Sequence, residues 1–135
     1  MTLNLRVLAP DQSVYDGSAD EVILPSTTGQ LGILTGHVSM ITALDAGVLR
    51  LREGNAWQSI ALTGGFAEVE ANEVTVLVNG AELGSRIDAA AAARDFEAAQ
   101  QAAAAFDGKP PTPEKLKAIQ ALGRARARVQ ASKGA

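Results

Sequence analysis

The chain contains no cysteine. Disulfides, thiolate nucleophiles and zinc centres built on sulfur are therefore excluded. It contains one histidine, His37, which rules out a His/Cys metal cluster and a Cys–His pair. No serine sits in a G-x-S-x-G elbow that would support a Ser-His-Asp set. No Walker A run is present, and the glycines do not form a dinucleotide fingerprint. No apolar run reaches the roughly 18 residues that a membrane span requires. Met1–Arg6 lacks the basic and apolar regions of a signal peptide. Basic groups are scarce in the first part: residues 1–84 carry Arg6, Arg50 and Arg52 against ten carboxylates. Phosphate would be repelled there, so nucleic acid is not an expected partner.

What is present is organised in two parts. The length of 135 residues suits one domain, or one domain with an appendage. The formal charge of -3 divides unevenly, with -7 over residues 1–84 and +4 over residues 85–135. Two segments facing different partners are expected from that asymmetry.

The first part reads as short strands. Leu3–Val7 alternates with period two, Ala9–Gln12 turns, and Ser13–Asp16 is a second strand closed by Gly17. Glu21–Leu24 is a strand stopped by Pro25, and Ser26–Gln30 is a polar turn. Gly29, Gly32 and Gly36 then imply a tightly specified path that ends at His37. Strands are expected near Leu31–Leu34 and Met40–Leu44, with a turn at Asp45–Gly47. Val48–Arg52 and Trp57–Leu62 flank Glu53–Asn55, and Gly64–Gly65 breaks the second of them. Phe66–Glu70 and Val74–Val78 flank a short connection, and Asn79–Gly80 ends the last strand. This rhythm predicts an antiparallel β-sandwich of about ten strands, with Phe66, Val69, Val74, Val76 and Val78 in its core.

The character changes after Gly84. Eleven of the seventeen residues from Ala89 to Ala105 are alanine, the strongest helix former, and Asp88 is placed to cap the helix. Asp107–Pro111 stops it. Thr112 caps a second helix, with Pro113 at its first position and Glu114 in its first turn. Leu116, Ile119, Leu122 and Val129 fall on one side. The short loop predicts an antiparallel two-helix hairpin, so the fold class is α+β, with a sandwich over residues 1–84 and a hairpin over residues 85–135. An alanine-rich face buries little area, which leaves a mobile hairpin and a fixed appendage both open.

Several residues have two readings. Glu68 and Glu70 share a strand face and read as solvated rather than as an acid/base pair. His37 is either a local hydrogen-bonding group or a contact at a partner's surface. Arg124, Arg126 and Arg128 fan around a helix, because each step of two residues turns about 200°. They are either a solvated helix end or an attachment to an acidic surface.

Gly29–His37, GQLGILTGH, followed by Ile41–Leu44, resembles the epsilon subunit of F-type ATP synthases. Gly64–Glu82, GGFAEVEANEVTVLVNGAE, resembles it too, and the likeness covers essentially the whole chain. Residues 1–10 and Arg124–Val129 look like the cyanobacterial and chloroplast branch. The resemblance implies a non-catalytic rotor subunit of the central stalk, without a cofactor. It implies a sandwich beside the gamma subunit and on the ring of c subunits, and contact with the membrane only through the complex. It implies a location on the cytoplasmic or stromal side of a thylakoid or plasma membrane. Gln30, Leu31, Gly32 and His37 match the family's c-ring-facing loop; many relatives have an acidic residue at position 30 and proline at position 35. The helical pair of the family folds against the sandwich or extends along gamma toward the alpha/beta catalytic head, restraining ATP hydrolysis. Arg124, Arg126 and Arg128 would then meet acidic residues of the beta subunits. Some relatives bind ATP through an I/L-D-x-x-R sequence with a preceding glutamate. Glu82, Ile87 and Asp88 match it, but Ala91 stands at the arginine position, which implies weak ATP binding or none. A small sandwich adaptor serving some other assembly is a rival reading of the residues alone, and an enzyme using His37 is a third that nothing else in the sequence supports.

Overall fold

Alternation along the first 83 residues becomes one folded-over sheet. The computed structural model describes residues 2–134. Eight strands form in order: β1 (Leu3–Ala9), β2 (Gln12–Ala19), β3 (Glu21–Ser26), β4 (Gly29–Leu34), β5 (Met40–Glu53), β6 (Ala56–Glu70), β7 (Glu73–Val78) and β8 (Ala81–Leu83). A 3₁₀ turn, Gly84–Arg86, leads to α1 (Ala89–Ala104) and α2 (Pro113–Ser132). The sheet runs β2-β1-β7-β6-β5-β3-β4, with β8 added on β6. All pairings are antiparallel except β1 with β7, where Leu5 lies opposite Val74.

The strands number eight because two expected breaks do not occur and β8 forms beyond Asn79–Gly80, the expected end of the last strand. Asp45–Gly47 lies inside β5, and Gly64–Gly65 lies inside β6. Both glycines of β6 have positive φ, 108° and 154°, which bends the strand instead of ending it. A Cβ on Gly65 would stand 2.1 Å from the Leu77 carbonyl oxygen. Beyond the bend β6 pairs with β7, and before it with β8. One long ribbon thus serves both layers, and β2 comes to lie against β5 and β8.

Other boundaries also shift. Pro25 does not stop β3, which continues to Ser26. Proline lacks an N–H, and the β3–β5 pairing is interrupted between Ile23 and Ser26, where none is needed. Gly47 fits beneath it, since a Cβ there would be 2.7 Å from Pro25 Cβ. The turn expected over Ser26–Gln30 shrinks to Thr27–Thr28, and β2 runs past Gly17 to Ala19. Ala71 and Asn72, with φ of 51° and 65°, close the β6–β7 hairpin in the mirror-image geometry that suits strand twist.

The core takes alternate residues from every long strand: Leu3, Leu5 and Val7, then Val22 and Leu24, Leu49 and Leu51, Ile60 and Leu62, Val74 and Val76. Val69 and Val78 join it, as expected. Phe66 does not: it lies on the outer face of β6 and is 60% exposed, because the period-two alternation that buries Ala67 and Val69 turns it outward.

The helices cap as their sequences predict. Asp88 Oδ1 accepts from the Ala90 and Ala91 N–H groups at 3.0 and 3.1 Å, and Thr112 Oγ1 accepts from the Lys115 N–H at 3.2 Å. Among the described residues, no helix is long and apolar enough to cross a membrane.

The bend yields a prediction. Gly65→Ala forces a side chain into the Leu77 carbonyl and is expected to cost about 3 kcal/mol or more of unfolding free energy. Urea titration of the whole chain checks it; a change below about 1 kcal/mol would contradict the bend as described.

Candidate functional surfaces

Three surfaces stand out: an outward apolar face, an edge strand with its following loop, and the seam between hairpin and sheet.

On the outer face of β5–β6–β7, cross-strand registers assemble a patch. Phe66 lies opposite Ala43 and Leu77, and Ile41 lies opposite Glu68. Ile41 and Leu77 are 71% and 55% exposed. They surround a shallow apolar depression shared with Thr75. Glu68 borders it, and Glu70 and Glu73 lie directly opposed across the nearby hairpin. Large side chains this open to water, gathered in one place, mark an interaction surface. Sequence reasoning missed it by counting Phe66 as core, although the alternation of Ala67 and Val69 was the signal.

β4 is an outermost strand, paired only with β3. Gln30, Gly32 and Leu34 face outward, while Leu31 packs on the core. Gln30, Leu31 and Gly32 are thus strand residues, not a turn. His37 lies on the loop beyond the other end of β4. Four residue steps separate Gln30 from Leu34, or about 13 Å of strand, so His37 and Gln30 do not form one compact loop. His37 Nδ1 donates to its neighbour, the Val38 carbonyl, at 2.8 Å. The loop is pinned to the β6–β7 hairpin, where the Gly36 N–H donates to Asn72 Oδ1 at 2.7 Å.

The hairpin is folded against the sheet. Its seam is made of small residues: Gly123, Ala127 and Ala131 of α2 recur every four positions and face Ala46, Val48 and Ala61. Ile87 and Ala92 complete the cluster. A Cβ on Gly84 would lie 2.2 Å from the Ala131 carbonyl oxygen, so α2 approaches as closely as backbone allows. Of the expected apolar face of Leu116, Ile119, Leu122 and Val129, Val129 packs against this cluster, but the larger residues nearer the start of α2 do not form the docking face. Leu116 and Ile119 are about half exposed, because close approach requires a stripe without bulk.

The structure sets Arg126 apart from Arg124 and Arg128, which line one cleft. Arg128 Nε donates to Glu82 Oε1 at 2.8 Å, and its Nη1 to Asp95 Oδ2 at 3.3 Å. Arg126 stacks over the Phe96 ring at 5.9 Å. Arg124 is exposed beside a cleft of about 430 Å³ that Arg128, Glu82, Thr63 and Asn79 also line. The residues matching the nucleotide motif each have another role. Glu82 pairs with Arg128, Ile87 is buried under the hairpin, and Asp88 caps α1. Among the described residues, no group of three His, Asp or Glu side chains gathers as metal ligands would.

A β-sandwich followed by two docked helices matches known proteins closely. Residues 2–84 match the family model described as ATP synthase, Delta/Epsilon chain, beta-sandwich domain. An ATP synthase epsilon chain from Synechococcus (strain CC9902) is 70% identical over all of this chain and 99% of that relative. One from Prochlorococcus marinus (strain MIT 9303) is 64% identical over 98% of this chain and all of the relative. The chain belongs to the ATP synthase epsilon family. Solved structures share the fold at low identity. A chain of the Euglena gracilis mitochondrial ATP synthase superposes with a TM-score of 0.79 at 21% identity, covering 98% of this chain and 81% of its own length. A chain from the Tetrahymena thermophila central stalk and c-ring superposes at 0.66 and 17%, covering 98% and 97%. The epsilon fold here therefore carries its helices in the docked arrangement.

The seam makes a second prediction. Gly84→Ala places a methyl against the Ala131 backbone and is expected to lift α2 off the sheet while the strands stay folded. Hydrogen exchange should quicken in α2 by at least tenfold and remain unchanged in β1, β6 and β7. Unchanged exchange in α2 would show that the seam does not hold the helix.

Proposed function

We propose that this epsilon-family chain is a non-catalytic rotor subunit of the central stalk of an F-type ATP synthase. Residues 1–84 dock on the stalk, and residues 85–135 restrain ATP hydrolysis. The observation that carries the docking role is the outward face of Ile41, Phe66 and Leu77. Three bulky apolar side chains left open to water suit a lasting neighbour, and we assign this face to gamma. The edge strand with Gln30, Leu31 and Gly32, together with His37 beyond it, is assigned to the c-ring. The neutral Gln30 offers hydrogen bonds there rather than an ion pair. Attachment to the membrane is through the complex, on its cytoplasmic or stromal side.

The restraining role rests on charge. The hairpin segment is basic, and Arg124 and Arg126 are exposed even in the docked state. When released along gamma, all three arginines can meet acidic residues of the beta subunits in the alpha/beta head. Nucleotide has no part in this reading: the phosphate-facing arginine is replaced by Ala91, and the remaining motif residues are otherwise engaged.

Two measurements test the proposal. Ile41→Asp/Phe66→Asp removes the apolar face and is expected to abolish co-purification with gamma. Because an aspartate at position 41 would stand opposite Glu68, circular dichroism checks that the variant remains folded; retained association by the folded variant would defeat the docking assignment. Arg124→Ala/Arg126→Ala/Arg128→Ala should raise hydrolysis by the assembled enzyme severalfold. An unchanged rate would count against inhibition through these arginines.

A further inference from the structure

We infer that Arg128, clamped by Glu82 and Asp95, is the catch that holds the hairpin in its docked position. Its use in regulation rests on the release of the hairpin proposed above. The clamp ties three elements together: Arg128 is on α2, Glu82 on β8 and Asp95 on α1. Two guanidinium nitrogens reach the Glu82 carboxylate, at 2.8 and 3.4 Å, and a third reaches Asp95 at 3.3 Å. A fork of this kind fixes direction as well as distance.

The rest of the seam gives the clamp its leverage. Gly123, Ala127 and Ala131 bury little apolar surface, and the larger side chains of the seam are only Ile87, Val48 and Val129. The clamp is partly exposed, with Arg128 at 31% and Glu82 at 49% side-chain exposure. A contact of that exposure shifts an equilibrium by about two- to fivefold and no more. That is the scale of a reversible catch. Release is also exclusive: while Arg128 is held by Glu82 and Asp95, it is not available to an acidic partner. The same residue thus restrains the docked state and contributes positive charge to the released one. Glu82, which aligns with the nucleotide-motif glutamate, serves an arginine of its own chain instead.

The absence of native cysteine provides a clean probe. Ser59 is buried beneath the C-terminal end of α2, its hydroxyl donating to the Gly134 carbonyl. Ser59→Cys puts a single thiol there, and its alkylation rate in the full-length chain reports how often the helix lifts. Adding Glu82→Gln/Asp95→Asn, which leaves every arginine in place, is expected to raise that rate two- to fivefold. Far-UV circular dichroism should be unchanged. Glu97→Gln, on an α1 carboxylate that makes no ion pair among the described residues, should have no effect. An unchanged rate in Glu82→Gln/Asp95→Asn overturns the catch, as does an equal rise in Glu97→Gln. In the assembled enzyme, Glu82→Gln/Asp95→Asn should deepen the restraint on hydrolysis, opposite in sign to removal of the arginines. Faster alkylation with unaltered hydrolysis upholds the catch and refutes the inhibitory role of the released hairpin.

Discussion

The structure depends on a place where no side chain fits. At Gly64–Gly65 the longest strand bends against the backbone of β7, and the opposed segment Asp45–Gly47 bends with it. Left-handed backbone at one position and near contact with a carbonyl at the next exclude a Cβ from both. Because the ribbon bends rather than breaks, its hydrogen bonds continue from one layer to the other. The inner surface then closes over a single aliphatic core. The outer surface of the segment before the bend presents Ala46, Val48 and Ala61 as a low platform. The outer surface beyond it presents Ile41, Phe66 and Leu77. The helical hairpin and the apolar face assigned to gamma are therefore placed by the same fold of the chain.

Much of this was legible in the residues. Period-two alternation located the strands, and the caps Asp88 and Thr112 located the helices, because both signals are local. What failed was non-local. A Gly-Gly pair reads as an interruption unless the neighbouring strand is known to crowd it. Pro25 reads as a stop unless the partner strand is known to need no donor there. Phe66 is the exception: it reads as core by size, although local alternation with the buried Ala67 and Val69 turns it to solvent. On α2, the larger residues suggested the buried face, but the face was chosen by how closely a backbone can approach. Gln30 and His37 illustrate the same limit at the level of a site. They lie within eight residues of one another, yet β4 holds them at opposite ends.

The arginines show how position divides residues of equal charge. Successive steps of about 200° send Arg124 outward to a cleft, Arg126 over Phe96 and Arg128 into two carboxylates. The basic character of the second segment and the acidic character of the first are therefore partly satisfied within the chain. Glu82 belongs to the acidic segment and Arg128 to the basic one, so the asymmetry visible in the sequence is also a source of cohesion between them.

The alanine and glycine seam has a thermal consequence. Separating surfaces that hide little hydrocarbon from water changes the heat capacity little, and a free-energy difference with little heat capacity lacks the pronounced curvature of hydrophobic assembly. For the proposed release, the free-energy difference between attached and detached helices should therefore change along a nearly straight line with temperature, its slope set by the entropy of release.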